Sequence, residues 1–432
     1  MEEKKTMDRR SFLGRLGGLG LAGATVAAFP WLEACSPAAN KEVSKEKAHI
    51  GLIGTGSRGC YHLEHLQQIP QAEVVALCDN YEPNLKEGAG YFPEAKLYKD
   101  YRKLLEDPNV DSVVIATPLF CHFQMAMDAM DAGKNVYCEK AMAYTIDECY
   151  QMYMKHLQTG KIFFIGQQRL FDPKYLKAME GVVAGNYGPV VNIRNYWFRN
   201  GDWRRDVPSP ELERHINWRL YREYSRGLMT ELACHQIQNG TWATGMLPMQ
   251  VMGTGSIIYW KDGREVFDNV ACIYTFPNGV NMTFESVISN AHWGMGEQIL
   301  CKDAMIDLPG SRIYFEEPPR KSGIESLIAE IENGVFSNSA FAGTSWSAEN
   351  GSKDKGIAIM PEADGDGSKD IMQAFCNAAI TGKMPERVLE EAYYGSVFCL
   401  LGDEAILQQK TLSLDEKYLL PTYKGRIDAS QI

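Results

Sequence analysis

Several common signals are scarce in this chain of 432 residues. Its eleven cysteines include no C-x-x-C pair. His62 and His65 are spaced for one helix face but bring no further ligand set, so no metal is expected and the pair reads as packing or surface residues. Beyond the N-terminus no apolar stretch is long enough to span a bilayer. No internal repeat at a solenoid or propeller period is present. There is no basic stripe either: 44 Lys+Arg face 55 Asp+Glu, a formal charge of −11. That balance argues against a nucleic-acid partner and against electrostatic attachment to anionic lipid. Cys78, Cys138 and Cys272 lie inside apolar, strand-like runs, which suits buried free thiols better than bridges. Asp364, Asp366, Ser368 and Asp370 alternate as in a calcium loop, but Lys369 replaces its glycine and Phe375 its closing glutamate. That segment reads as a solvated loop before a late helix, within a Gly/Ser/Asp-rich stretch over 337–369. A hydrophobic content of 45% over this length suits two globular domains.

The informative run is Ala48 to Ala141. An apolar strand leads into Gly54-Thr55-Gly56-Ser57-Arg58-Gly59, a G-x-G-x-x-G. Gly54 is expected to allow the tight turn. Gly56 lets backbone amides approach a pyrophosphate, and Gly59 lets the following helix, about 57–68, pack closely. Asp79 ends the next apolar run, 20 residues past Gly59. An acid there accepts the ribose 2′-hydroxyl and repels a 2′-phosphate, favouring NAD over NADP. Two more apolar runs end in Ala116-Thr117-Pro118 and Cys138-Glu139-Lys140. Ligands of an open parallel sheet bind outside such ends.

These residues, with His122 and the block Ala132-Gly133-Lys134-Asn135-Val136-Tyr137-Cys138-Glu139-Lys140, resemble the Gfo/Idh/MocA oxidoreductase family. The family's usual proline after the lysine is here Ala141. The likeness continues through Gly166-Gln167-Gln168-Arg169 and Gly185–Val190. It then takes in Gly227–His235, where Glu231 stands for an aspartate, and Ala374–Pro385. The resemblance implies a Rossmann domain followed by an α+β domain with an open, mostly antiparallel sheet. It implies NAD contacts from Gly54, Gly56, Ser57, Arg58, Gly59, Asp79, Thr117, Pro118, His122, Glu139, Lys140 and Gln168. Lys140 and His235 become the acid–base candidates. Glu231, one turn before His235, either orients the imidazole or bonds substrate hydroxyls.

The expected organisation is an export signal over 1–34, a polar tether over 35–47, the Rossmann domain over 48–168 and a substrate and oligomerisation domain over 169–432. Arg9-Arg10 before a mild apolar run reads as a twin-arginine signal, and Cys35 as a lipid-attachment site. This places the protein in the periplasm, anchored only by lipid. Removing residues 1–34 leaves 39 Lys+Arg and 51 Asp+Glu, a charge of −12. Strands are expected at 190–199, 251–260, 266–276 and 280–289, with Asn278-Gly279 as a hairpin turn. One face of that sheet is expected to form a dimer or tetramer. Tyr196-Trp197-Phe198, Trp203 and Trp218 read equally as core or as a stacking surface for sugar rings. The leading expectation is an NAD-dependent dehydrogenase acting on a secondary hydroxyl or ketone of a carbohydrate or glycoside. The alternatives are a glycosidase using bound NAD transiently and a non-catalytic sugar-binding lipoprotein.

Overall fold

The computed structural model describes residues 46–316, 355–361 and 363–422. Arg9, Arg10, Cys35 and residues 337–354 lie outside them. The first domain alternates strands and helices: β1 (Ala48–Ile53), α1 (Ser57–Leu66), β2 (Ala72–Cys78), α2 (Glu82–Tyr91), β3 (Lys96–Tyr98) and α3 (Tyr101–Leu105). It continues with β4 (Ser112–Ile115), α4 (His122–Asp131), β5 (Asn135–Cys138), α5 (Ile146–Thr159) and β6 (Phe163–Ile165). The strands are near-continuous apolar runs because helices cover both faces of the sheet. Ile50, Leu52, Val113–Ile115 and Val136–Cys138 are all buried. Thr145 and Glu148 form a capping box that starts α5, and left-handed Gly160 ends it.

All pairings are parallel and the order is β3-β2-β1-β4-β5-β6. The winding reverses between β1 and β4, which opens a crevice at their C-terminal ends. The loops carrying Gly54, Thr117 and Lys140 all meet there.

The second domain begins with α6 (Pro173–Val183), capped by Asp172 with proline in its first turn. After β7 (Val190–Phe198) the chain runs irregularly to a π-helical turn, Met229–Ala233, which leads into α7 (Cys234–Thr244). Then follow β8 (Gln250–Ser256), β9 (Asn269–Thr275), β10 (Asn281–Val287), β11 (Met295–Cys301), β12 (Ala304–Asp307), β13 (Arg312–Phe315) and β14 (Ile357–Ala358). The eight-stranded sheet is antiparallel except where β10 lies parallel to β7. Asn278-Gly279 turns β9 into β10, with Gly279 at φ 85°. Every residue of α7 is buried.

The last helices return toward the first domain. α8 (Ser368–Thr381) packs on α1 and β1, with the Phe375 ring 5.8 Å from Tyr137 and 5.7 Å from Phe164. α9 (Val388–Gln408) touches α7 and β8 on one side and α5 and β6 on the other. It therefore bridges the two sheets. The Asp364–Asp370 segment serves as the lead-in to α8, where Asp366 accepts from the Ser368 amide and the Tyr61 hydroxyl. All ten described cysteines are free thiols, and nine are buried.

Candidate active site

The glycine loop is shaped as its spacing predicts. Gly54 has φ +92°, and a β-carbon there would fall 2.7 Å from the Ala116 carbonyl. A β-carbon on Gly59 would fall 1.9 Å from the Gly54 carbonyl, so α1 packs directly on the loop and Gly59 lies beneath the cleft. Gly56 and Ser57 face the cleft, and no side chain caps the start of α1. Uncapped first-turn amides aimed into a cleft suit a pyrophosphate. At the end of β2 the Asp79 carboxylate accepts from the Thr55 amide at 2.9 Å and the Tyr81 amide at 2.8 Å. It holds the loop and still lines the cleft. This donor set fits a dinucleotide.

Arg58 and Glu139 are engaged with each other. Glu139 Oε1 lies 2.8 Å from Arg58 Nε and 2.7 Å from His62 Nε2. Burial favours the protonated acid, but Arg58 and His62 together hold the Glu139 carboxyl well below the carboxylate range. Burial likewise works against the Arg58 charge, and Glu139 raises it above its ordinary value. The pair braces α1 against the end of β5, and it reaches the cleft at its edge. His62, read from the sequence as a packing or surface residue, is this brace's third member; burial pushes its pKa down. His122 bridges two loops, with Nδ1 2.9 Å from the Ala141 carbonyl and Nε2 3.0 Å from the Thr117 carbonyl. Burial lowers its pKa. It thus ties the Thr117-Pro118 wall to the lysine loop. The Lys140–Ala141 peptide is cis.

Lys140 is not paired with Glu139 through its side chain. Its Nζ donates to the Glu231 carbonyl at 2.8 Å and the Thr230 carbonyl at 3.5 Å. Both carbonyls belong to the π-helical turn, a local widening that recurs at functional sites. Ser396 of α9 accepts from the Met142 amide, fixing the loop after Lys140.

Of the two readings of Glu231, orientation of His235 is corrected, while Glu231 does line the cleft. The Glu231 carboxylate takes Arg219 Nε at 2.8 Å and the Ser225 hydroxyl at 3.3 Å. Burial opposes its charge, yet Arg219 and then Lys140 hold its pKa down. The widened turn between residues 229 and 233 changes the spacing on which the shared-face argument rests. His235 is held instead by Gln167, whose Oε1 lies 2.7 Å from Nδ1. Gln167 Nε2 donates to Cys234 Sγ at 2.9 Å and to the Cys234 carbonyl at 3.4 Å. A carbonyl only accepts, so the amide orientation follows. Nδ1 of His235 therefore carries the proton and Nε2 is the acceptor. Burial, then Arg169 and Lys140, push the His235 pKa well below the ordinary histidine value, so the ring is neutral. Gln168, the sequence candidate, also lines the cleft, with a buried Oε1 that has no hydrogen-bond partner among the described residues.

The cleft has a volume of about 1180 Å³ and is walled by both domains. The segment 199–226 crosses its mouth. Arg205 reaches Ser57 Oγ at 3.1 Å, the His215 ring lies 5.9 Å from Tyr81, and Tyr224 lies 4.9 Å from Phe120. No motif in the sequence marks this segment, because the contacts that set it across the first domain are long-range. The aromatic candidates divide. Trp197 and Trp218 line the cleft, while Tyr196 and Phe198 stack together near Trp293.

Residues 48–167 match the Gfo/Idh/MocA "Oxidoreductase family, NAD-binding Rossmann fold", and residues 175–306 match the Gfo/Idh/MocA C-terminal domain. Myo-inositol 2-dehydrogenase of Thermotoga maritima is 29% identical over 48% of this chain and 58% of its own length. A glycosyl hydrolase family 109 protein of Shewanella baltica is 27% identical over 49% of this chain and 50% of its own. The chain thus spans between half and two thirds of these relatives. The fold is similar to that of scyllo-inositol dehydrogenase from Lactobacillus casei with bound NAD(H) and scyllo-inositol. That likeness has a TM-score of 0.63 at 18% identity, covering 85% of this chain and 99% of the other. With two adjacent domain matches spanning more than half its length, this chain belongs to the Gfo/Idh/MocA family.

Proposed function

We propose that the protein is an NAD-dependent dehydrogenase that interconverts a secondary hydroxyl and a ketone on a carbohydrate or glycoside. The carrying observation is the His235–Gln167 pair. It leaves a neutral imidazole with an acceptor nitrogen beside Lys140, at the strand ends where the glycine loop also opens. NAD, when bound, supplies the hydride acceptor. Gly54, Gly56, Ser57 and Asp79 would hold it, under Arg205. An ammonium has three N–H bonds, and Lys140 directs two at carbonyls. The third is available to a substrate oxygen and stabilises the alkoxide as it develops. His235 Nε2 takes the hydroxyl proton. The sugar-alcohol dehydrogenases among the relatives support this substrate class.

The glycosidase alternative draws on the family 109 relative and needs the same base. Lys140 would stabilise the alkoxide in either reaction, since both begin with oxidation of a hydroxyl. One assay separates the two. The NAD-loaded protein is incubated with an aryl glycoside while cofactor reduction and aglycone release are followed together. Net reduction without aglycone supports the dehydrogenase; aglycone without net reduction overturns it.

Arg9-Arg10 and Cys35 support export in a folded state and a lipid anchor. Homo-oligomerisation is supported by the outer face of the second sheet, which exposes Met252 and Ile273.

A further inference from the structure

The catalytic end of the cleft carries more positive charge than its own acids balance. Arg219 and Lys140 both converge on Glu231, one through the carboxylate and one through the carbonyl. Next to Arg219 stands Arg199, just past the end of β7. Partial desolvation and the Arg219 charge both pull the Arg199 pKa below its ordinary value, although the side chain is exposed. Like charges placed together cost free energy unless an anion bridges them. The Arg199 backbone amide donates to the Val287 carbonyl, but its guanidinium forms no ion pair or hydrogen bond among the described residues. Glu231 is the one acid bonded to this group, against three cations, in a chain whose net charge is −11.

Both guanidinium groups also rest against aromatic rings. Arg199 lies over the Trp197 ring at 5.1 Å and Arg219 over the Trp218 ring at 4.3 Å. Both tryptophans line the cleft. A cation–π contact restrains a guanidinium while leaving N–H groups free, the arrangement that pairs bidentately with a carboxylate or phosphate. The cofactor phosphates do not account for this pair. Arg205 is the arginine that reaches the glycine loop, and Arg58 is spent on Glu139.

We propose that Arg199 and Arg219 form an anion subsite beside Lys140 and His235, and that the substrate is an acidic sugar, carrying a carboxylate or an equivalent anionic ester. This rests on the dehydrogenase reading for the reaction, but the subsite is testable by binding alone. The probes are D-glucuronate, D-galacturonate, glucose 6-sulfate and glucose 6-phosphate, against D-glucose and D-galactose. Each is titrated calorimetrically into the NAD-loaded protein. At least one acidic sugar should bind about 10–100-fold tighter than its neutral counterpart, the range of one charge-assisted pair. The tightest acid shows whether a carboxylate, sulfate or phosphate is meant. Arg199→Gln should remove most of that advantage while leaving neutral-sugar affinity within about twofold, and Arg199→Lys should restore part of it. Because Arg199 is exposed, neither change should disturb folding, which circular dichroism verifies. Equal binding of acids and neutral sugars, no binding of any probe, or an acid preference untouched in Arg199→Gln overturns the proposal. Arg199-dependent binding of acids without oxidation of any sugar leaves the subsite standing and removes the dehydrogenase reading instead.

Discussion

Nδ1 of His235 lies 2.7 Å from Oε1 of Gln167, and the other end of that amide is anchored on Cys234. One side chain therefore sets both the tautomer and the direction of the imidazole. Residues that orient a reactive histidine in this way matter nearly as much as the histidine.

Gln167→Leu keeps volume but removes the acceptor. Turnover should fall by roughly 10–100-fold, with cofactor affinity little changed. Gln167→Glu supplies a negative charge that favours imidazolium, so the His235 pKa rises. The acid limb of the pH–rate profile, which in the unmodified protein lies below the usual histidine range near about 6.5, should move upward. An unmoved limb would mean that His235 is not the titrating base.

The Glu139 brace makes a stability prediction with a definite sign. Its folded pKa is depressed by Arg58 and His62. The stabilisation is thus fully present above the unfolded carboxyl value of about 4.3 and is lost as pH falls through the folded value. Glu139→Gln should cost up to roughly 3 kcal/mol at neutral pH, the low end for a broken buried pair because Arg58 is 29% exposed. The gap between the two proteins in thermal midpoint should close progressively in acid. A gap independent of pH would place the loss in packing instead.

What was legible in the sequence follows the range of the contacts. The glycine loop, Asp79 and the loaded strand ends are local patterns, and the sheet order puts them at one crevice. The Asn278-Gly279 turn is equally local. Gln167 was not legible as the His235 partner. It adjoins Gln168 at the same crossover, and only the fold decides which amide faces α7. The shared face of Glu231 and His235 assumed a regular helix, and the π-helical turn breaks that assumption. Arg199, Arg205 and Arg219 sit in a segment with no periodicity. The parallel pairing of β10 with β7, and the return of α8 to the first sheet, depend on contacts far apart in the chain.

Asp79→Ala should weaken NAD binding and narrow the preference for NAD over NADP, because the 2′-phosphate is no longer repelled. The loss should exceed that of a ribose contact alone, since Asp79 also holds the Thr55 and Tyr81 amides. Titration of both cofactors into stripped protein measures this. Equal affinity in the unmodified protein would sink the assignment.

Arg9→Lys combined with Arg10→Lys should retain the precursor inside the cell, and Cys35→Ala should release the product from membranes. Fractionation and blotting read both. Unchanged membrane association of the Cys35→Ala protein would end the lipoprotein reading.

Lys140→Ala and His235→Ala should each lower turnover by roughly 10²–10⁴, the worth of a positioned acid–base group. Cofactor affinity should stay within a few-fold, because the pyrophosphate contacts lie at the glycine loop. The double mutant should be less damaging than the product of the two single effects, since one proton path is lost only once. Glu231→Gln should cost less than either. It leaves the backbone carbonyl that holds Lys140 and removes only the charge that anchors Arg219. Single-turnover reduction of bound NAD by an accepted sugar reads all four proteins. Near-normal turnover in both single alanine mutants would move the reaction away from the His235–Lys140 end of the cleft.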